Sequence, residues 1–334
     1  MCRGSEVQMR LQFEYHSNDS QERLVNRHLK EELSELRNGC HSFCCRMCGS
    51  AVLLPETQFK RVLELPSENW LELAQDWCCH GNSHLTSVAG VLEPGEKDCF
   101  VGEYYIKLHS STIKPGSLQI LPGEEHCPLK CCRCNSILGN IMVEDSGLDV
   151  LDVNCSDAFS IHLYKHSVSL RSSNLFRSYC VETFISSCLI SKSQGAVNFR
   201  FLIQESIQNG IRQQAHVCLW LFNADTAVIT NVESLKAFVK TGIYSTRNKA
   251  KYSRVLKILY KIKSSFSDPD WDDEVDTWRE NSSVQLLTFA KETCLRLILL
   301  LAESTNTIAP SLRNMNGFKV RYKYCLGETV KKLL

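Results

Sequence analysis

At 334 residues, 43% hydrophobic and 22% charged, the chain has the length and composition of one large or two ordinary domains with a real core, which excludes disorder as the default. A formal charge of +1 and a pI near 7.5 argue against a broad phosphate-tracking surface, so direct nucleic-acid binding is not expected, although there is room for a local basic patch. The first twenty residues lack the apolar centre of a secretory signal, and the longest aliphatic run, Leu297 to Ala302, is far too short to span a bilayer; the chain reads as cytoplasmic or nuclear, with no membrane partner.

The first predicted element is a half-buried strand. In "EVQMRLQFEY", Val7, Met9, Leu11, Phe13 and Tyr15 alternate on one face. A strand so close to Met1 leads us to expect a chain that starts inside a domain. "SQERLVNRHLKEELSELRNG" predicts a helix with Leu29, Leu33 and Leu36 on one side and Gly39 as its stop. Between 43 and 160, short strand-like runs ("AVLL", "FKRVLEL", "GEYYIKLH", "LQIL") alternate with turn residues and cysteines.

From about 160 the texture changes. "SIHLYKHSVSL" predicts a strand and "SNLFRSYCVETFISSCLI" a helix. "NFRFLIQ", "AHVCLWLF" and "TAVITNV" read as strands, with "NADT" a tight turn between the last two. "YSRVLKILYKI" and "SSVQLLTFAKETCLRLILLLAES" read as helices, the latter with Ser282 and Gln285 as a capping box, and "GFKVRYKY" as a late strand. The expected fold class is α+β: a β-rich, zinc-bearing domain over 1–157, then a mixed α+β domain over 158–334. Charge segregates once: lysines and arginines, and no acid, run from Ser234 to Lys263, ahead of the acidic "SDPDWDDEVDTWRE". Two solvated segments that partly neutralise each other account for this; a docking surface for an acidic partner is the other reading.

Eighteen cysteines in a reducing compartment call for metal ligation, reactivity or burial. "CRMCGS" and "CCRCNS" place Cys45, Cys48, Cys131 and Cys134 in two C-x-x-C turns, each of which aims two thiolates at one point, and together they supply the four ligands of a structural zinc site. Gly49 and Asn135 follow the second cysteine of each pair, a position that often needs positive φ. Unlinked buried cysteines and a redox pair are the competing readings, and Cys40, Cys44, Cys127 and Cys132 are less well spaced substitutes.

"LPSENWLELAQDWCCHG" predicts a helix with Trp70 and Trp77 on one face and Cys78, Cys79 and His80 at its end. Periodicity alone assigns the indoles to a core. Adjacent ligands on a helix cannot readily reach one metal, so "CCH" either completes the zinc site or is offered outward to a partner. In "AKETCLRLILLL", Cys294 shares a helical face with Leu287, Ala290, Ile298 and Leu301, the pattern of a buried inert thiol.

In this order, "CRMCG", "LPSENW", "DWCCH", "DCFVGE", "CCRCNSILG" and "SLRNMNGFKV" resemble the HECT-like, ubiquitin-conjugating-enzyme-binding family of ubiquitin ligases from about residue 5 to 320. Members usually carry further amino-terminal β-rich sequence, so this chain resembles a shortened one, and its tail "RYKYCLGETVKKLL" runs past the family's expected end. The resemblance implies an enzyme, a HECT-like ubiquitin-protein transferase. It would accept ubiquitin from a conjugating enzyme bound near Ile161 to Phe184 and pass it to lysines of a protein substrate. It maps the thioester cysteine to Cys294 through "ETCLRL". Part of the same family resembles factors that bind the metallo-β-lactamase-type nuclease of messenger RNA 3′-end processing as chaperone or inhibitor. In those, Trp70, Trp77, Cys78, Cys79 and His80 would be the partner-binding element, Cys78 foremost.

Overall fold

The computed structural model describes residues 2–3, 6–7, 20–66, 93–122, 126–142, 159–171, 173–194, 199–205, 214–230, 251–263, 269–306, 308, 310–315 and 317–324. Two short strands, β1 (Cys2–Arg3) and β2 (Glu6–Val7), pair with each other. The rest of the predicted first strand lies outside the described residues. The chain divides into two compact units, the first drawing on 7–195 and the second on 196–205 and 214–334. The fold is mixed α+β with sheets dominating, and among the described residues no helix is long and apolar enough to cross a membrane.

The first unit opens with helix α1 (Ser20–Arg37), whose Leu36 is fully buried and whose Arg37 donates to the Val62 carbonyl at 2.7 Å. Strand β3 (Phe43–Cys45) follows, then β4 (Arg61–Glu64), β5 (Asp98–Val101), β6 (Tyr105–His109), β7 (Leu118–Ile120), β8 (His126–Cys131), β9 (Ile137–Met142), β10 (Ser160–Tyr164) and β11 (Val168–Leu170). Seven of these form one sheet in the order β4-β5-β6-β10-β9-β8-β7, parallel only between β4 and β5, while β11 pairs with β3. Alternation along β6 and β10 turns Ile106, Leu108, Ile161 and Leu163 into a core shared with Phe43, Leu129 and Leu138. Gly139 in β9 faces β10 so closely that a Cβ would stand 1.8 Å from the His162 carbonyl oxygen, so only glycine fits.

Segment 160–195 does not open the second unit, as a boundary at 157/158 would require. β10 lies between β6 and β9, because its apolar residues complete their face, and helix α2 (Val181–Gln194) belongs to the same unit. "SIHLYKHSVSL" is two strands separated by a turn at 165–167, and α2 begins eight residues later than "SNLFRSYC" suggested. The intervening backbone closes turns instead, Arg177 N–H on Asn174 and Tyr179 N–H on Phe176.

The second unit is a six-stranded sheet, β15-β12-β13-β14-β17-β16. Its strands are β12 (Arg200–Glu205), β13 (Ala215–Thr230), β14 (Lys251–Ile262), β15 (Val284–Phe289), β16 (Asn314–Met315) and β17 (Phe318–Tyr324). Helix α3 (Pro269–Glu280) lays Trp271, Val275 and Trp278 on Leu202 and Cys218. Helix α4 (Lys291–Asn306) takes the other face, where the Tyr260 hydroxyl donates to the Leu301 carbonyl at 3.2 Å.

Three sequence expectations fail in this unit. "YSRVLKILYKI" is a strand, since β14 is central and buried on both faces and its near-continuous apolar run mimics a helical pattern. "NADT" makes no tight turn; β13 runs through it with register shifts at Leu221/Asn223 and Asn223/Thr226. The long helix predicted from Ser282 is a strand and a helix. β15 pairs parallel with β12, Gln285 sits inside that strand rather than in a capping box, and the first helical bond runs from Cys294 N–H to the Ala290 carbonyl.

Candidate metal centre and the segment it braces

Strand β3 runs into one C-x-x-C turn, and the β8–β9 hairpin is capped by the other. The two turns fold alike. Cys45 N–H donates to the Ser50 carbonyl at 2.8 Å and Cys131 N–H to that of Ser136 at 2.9 Å. Gly49 N–H donates to the Cys45 carbonyl at 2.8 Å and Asn135 N–H to that of Cys131 at 2.9 Å. Closing each turn requires a left-handed residue after its second cysteine, and Gly49 (φ 70°) and Asn135 (φ 62°) supply it.

The sulfurs of Cys45, Cys48, Cys131 and Cys134 all lie within 4.8 Å of one another, with Cys45–Cys134 at 3.6 Å and Cys48–Cys131 at 3.7 Å. Four thiolates about 2.3 Å from a tetrahedral ion sit about 3.8 Å apart, close to the two shortest sulfur pairs, so this donor set fits a tetrahedral metal ion. Burial pushes the Cys45 thiol up to about 12 and Cys131 upward too. Burial acts upward on Cys134 as well, but hydrogen bonds from the Ser136 hydroxyl and backbone outweigh it and bring the thiol down to about 6. A bound cation would hold all four as thiolates. None of the substitutes joins the cluster. Cys40 and Cys132 are exposed, Cys127 is buried in the sheet, and Cys44 takes a contact from Arg171 Nε at 3.3 Å.

The first turn also grips the chain ahead of α2. Arg46, between the first two ligands, donates to the Tyr179 carbonyl at 2.5 Å and to the Phe176 carbonyl, and its N–H donates to the Ser167 carbonyl at 3.0 Å. From beneath, fully buried Lys165 meets Glu32 of α1 at 2.6 Å and the Glu103 carbonyl at 3.3 Å, and the Tyr179 hydroxyl donates to the second Glu32 oxygen at 2.5 Å. Burial lowers the Lys165 pKa, opposed by Glu32. His166 packs against Tyr164 and Phe184, which also touch each other, and burial, reinforced by Arg46, drives it down to about 4. Among the described residues, segment 160–184 is thus tied to the first turn and to α1, and it borders a cavity of about 360 Å³ lined by Arg46, Leu170, Asn174, Phe176 and Arg177, with Met47 78% exposed on the same turn as Arg46. Sequence reasoning missed Arg46, Lys165 and Glu32. Nothing in the spacing of a lysine or arginine reveals which carbonyl or carboxylate it will meet across 130 residues of chain.

Cys294 is fully buried on α4, its Sγ 3.6 Å from the Gln204 carbonyl and 3.8 Å from that of Phe289, and burial lifts its thiol to about 12. The nearest acids, Glu205 and Glu292, act in the same direction. A thiol so buried lacks access, and among the described residues no activating base is recorded at it, so the periodicity reading describes Cys294 and the accessible-thioester reading does not match this geometry. Trp70, Trp77, Cys78, Cys79 and His80 lie outside the described residues, and so does the nuclease-binding surface assigned to them.

The family model "HECT-like Ubiquitin-conjugating enzyme (E2)-binding" matches residues 2–320. Among curated proteins, the chain is 29% identical over 309 residues to a human protein named as an E3 ubiquitin-protein ligase, a match that covers 85% of this chain and 72% of that one. The proteins of the same name from cattle and mouse are also 29% identical, over 308 and 299 residues, covering 85% of this chain and 72% and 71% of theirs. No solved structure matches.

Proposed function

Because the chain belongs to the HECT-like, ubiquitin-conjugating-enzyme-binding family, we propose that it is a ubiquitin-protein ligase. It docks a ubiquitin-charged conjugating enzyme on segment 161–184 and directs the ubiquitin to substrate lysines. Zinc in the four-cysteine cluster keeps that segment in place, and the cytosol or nucleus keeps the thiols reduced for it. The observation that carries this reading is the Arg46 grip: one residue of a metal turn fixes two backbone carbonyls of the docking segment.

The burial of Cys294 favours transfer without a covalent ligase intermediate. The substrate lysine amine attacks the thioester carbonyl held on the conjugating enzyme, the isopeptide bond forms, and the enzyme's own thiolate leaves. On a non-reducing gel with activating enzyme, conjugating enzyme and ubiquitin, Cys294→Ser protein transfers ubiquitin at the wild-type rate and no thiol-sensitive adduct of the ligase appears. A reducible adduct that vanishes in Cys294→Ser would overturn the non-covalent route and reinstate HECT-type transfer. Arg46→Ala weakens conjugating-enzyme binding about tenfold, near the worth of one charged hydrogen bond, with metal content unchanged. Unchanged affinity would remove segment 161–184 as the dock.

A further inference from the structure

The cavity beside the first C-x-x-C turn gathers cations without acids. It is lined by Ser169 and Leu170 of β11, by Asn174, Phe176 and Arg177 from the turns that follow, and by Arg46 from across the chain. Leu170 and Phe176 are buried, whereas Arg46, Asn174 and Arg177 are exposed, so an apolar lining opens to solvent through a polar mouth. No Asp or Glu lines it. The Ser173 hydroxyl, at its edge, is committed to Glu35 of α1.

The two arginines come to the cavity differently. Arg177 closes a turn with its backbone N–H on the Asn174 carbonyl, while its guanidinium has no partner among the described residues. Arg46 donates from its two terminal nitrogens to the Tyr179 and Phe176 carbonyls, which fixes the plane of the group. Carbonyls do not neutralise its charge, and Nε and the second hydrogen of each terminal nitrogen keep no partner among the described residues. The Ser169 hydroxyl and the Asn174 amide are likewise without one. A carboxylate here would balance only one of the two guanidiniums. A phosphate monoester carries about −1.5 to −2 at pH 7 and three acceptor oxygens, which matches both. At about 360 Å³ the cavity exceeds a bare phosphoryl group, and Leu170 and Phe176 offer an apolar wall to the side-chain stem that bears it.

We propose that this cavity binds the phosphoryl group of a phosphorylated serine or threonine in a protein segment, gripped between Arg177 and Arg46. The planar fork of arginine meets phosphate oxygens in pairs, and one fork is already oriented by backbone. Met47, next to Arg46 in the chain and 78% exposed, offers an apolar contact to the residues flanking the phosphate. Binding of the phosphoryl group needs no ligase activity. Because the cavity lies on segment 161–184, a phosphorylated segment seated there would compete with a docked conjugating enzyme, and that consequence alone rests on the ligase reading.

The test is fluorescence anisotropy of a labelled peptide, one phosphoserine among alanines, titrated with the full chain at low salt. No conjugating enzyme is present, so failure here is told apart from failure of the docking reading. The expected result is saturable binding of the phosphoserine peptide, none of the unphosphorylated peptide, and binding of its aspartate counterpart weaker by about tenfold or more. Arg177→Gln loses about ten- to hundredfold, the range of charge-assisted hydrogen bonds, and Arg177→Lys recovers part of that by keeping the charge without the fork. Asn174→Ala loses about two- to tenfold. Since the Arg177 side chain has no partner to lose, its variants melt like wild type. No binding at low salt, binding indifferent to Arg177→Gln, or an aspartate peptide bound as well as the phosphoserine one overturns the proposal. So does inorganic phosphate that displaces the peptide at equal concentration, which would make the cavity a site for free phosphate.

Discussion

Cysteines of the first unit and cysteines of the second differ less in burial than in company. Cys45 and Cys131 are as buried as Cys218 and Cys294. The first two sit in turns that bring Cys48 and Cys134 beside them, and the four sulfurs meet. Among the described residues Cys218 and Cys294 join no cluster of sulfurs, and burial lifts both thiols to about 12. Burial by itself makes a thiol inert. Convergence of four makes a donor set that could hold a cation, which would repay the desolvation that a single thiolate cannot.

The sharpest way to break that contrast is to remove one member of each kind. Cys48→Ser or Cys134→Ser should abolish metal binding and destabilise the first unit by about 5 kcal/mol or more, seen as loss of metal in elemental analysis and a collapsed melting transition. Cys218→Ala and Cys294→Ala should cost only about 1–2 kcal/mol and leave metal content alone. Equal losses in both sets would erase the distinction.

The same logic of company applies to buried charge. Lys165→Met strands Glu32 in the core and should cost about 3–5 kcal/mol in urea denaturation, whereas adding Glu32→Leu should restore most of it. In the second unit, Tyr260→Phe removes a neutral partner of Leu301 and Thr305 and should cost about 1 kcal/mol.

His166 offers a pH handle of intermediate size. Its folded value near 4 lies below the ordinary 6.5, so the unfolded chain binds the proton more readily. Stability is therefore full above pH 6.5 and falls as pH drops toward 4, by on the order of 3 kcal/mol. A His166→Phe variant should flatten that part of the pH–stability curve. Smallest of all, Gly49→Ala should cost about 1 kcal/mol through its φ of 70°, since no atom lies within 4 Å to clash, and Asn135→Gly should cost nothing.

What the sequence revealed and concealed follows from range. The four-cysteine cluster was legible because each C-x-x-C turn is local chemistry, and four thiols leave few other partners. Helix α1 was legible because its apolar stripe and Gly39 stop are local too. β14 was not, since Val255, Leu256, Ile258, Leu259 and Ile262 follow helical spacing merely because both faces of a central strand are covered. The strand–helix break at Ala290 was hidden for a related reason: β15 owes its extended state to its parallel partner β12, which is remote in sequence. Cys294 shows two sequence signals in conflict, a short local likeness against a longer periodicity, and the periodicity describes the observed burial.

The two halves of the four-cysteine cluster are separated by residues 49 to 130, 82 of them. In the unfolded chain a loop of that length closes at an entropic cost that grows only logarithmically, about 0.6 kcal/mol for each doubling. The centre is thus nearly indifferent to how much chain is threaded between its halves, provided both turns keep their shape. An insertion between β4 and β5 would leave both turns of the clasp that joins β3 to the β8–β9 hairpin as they are.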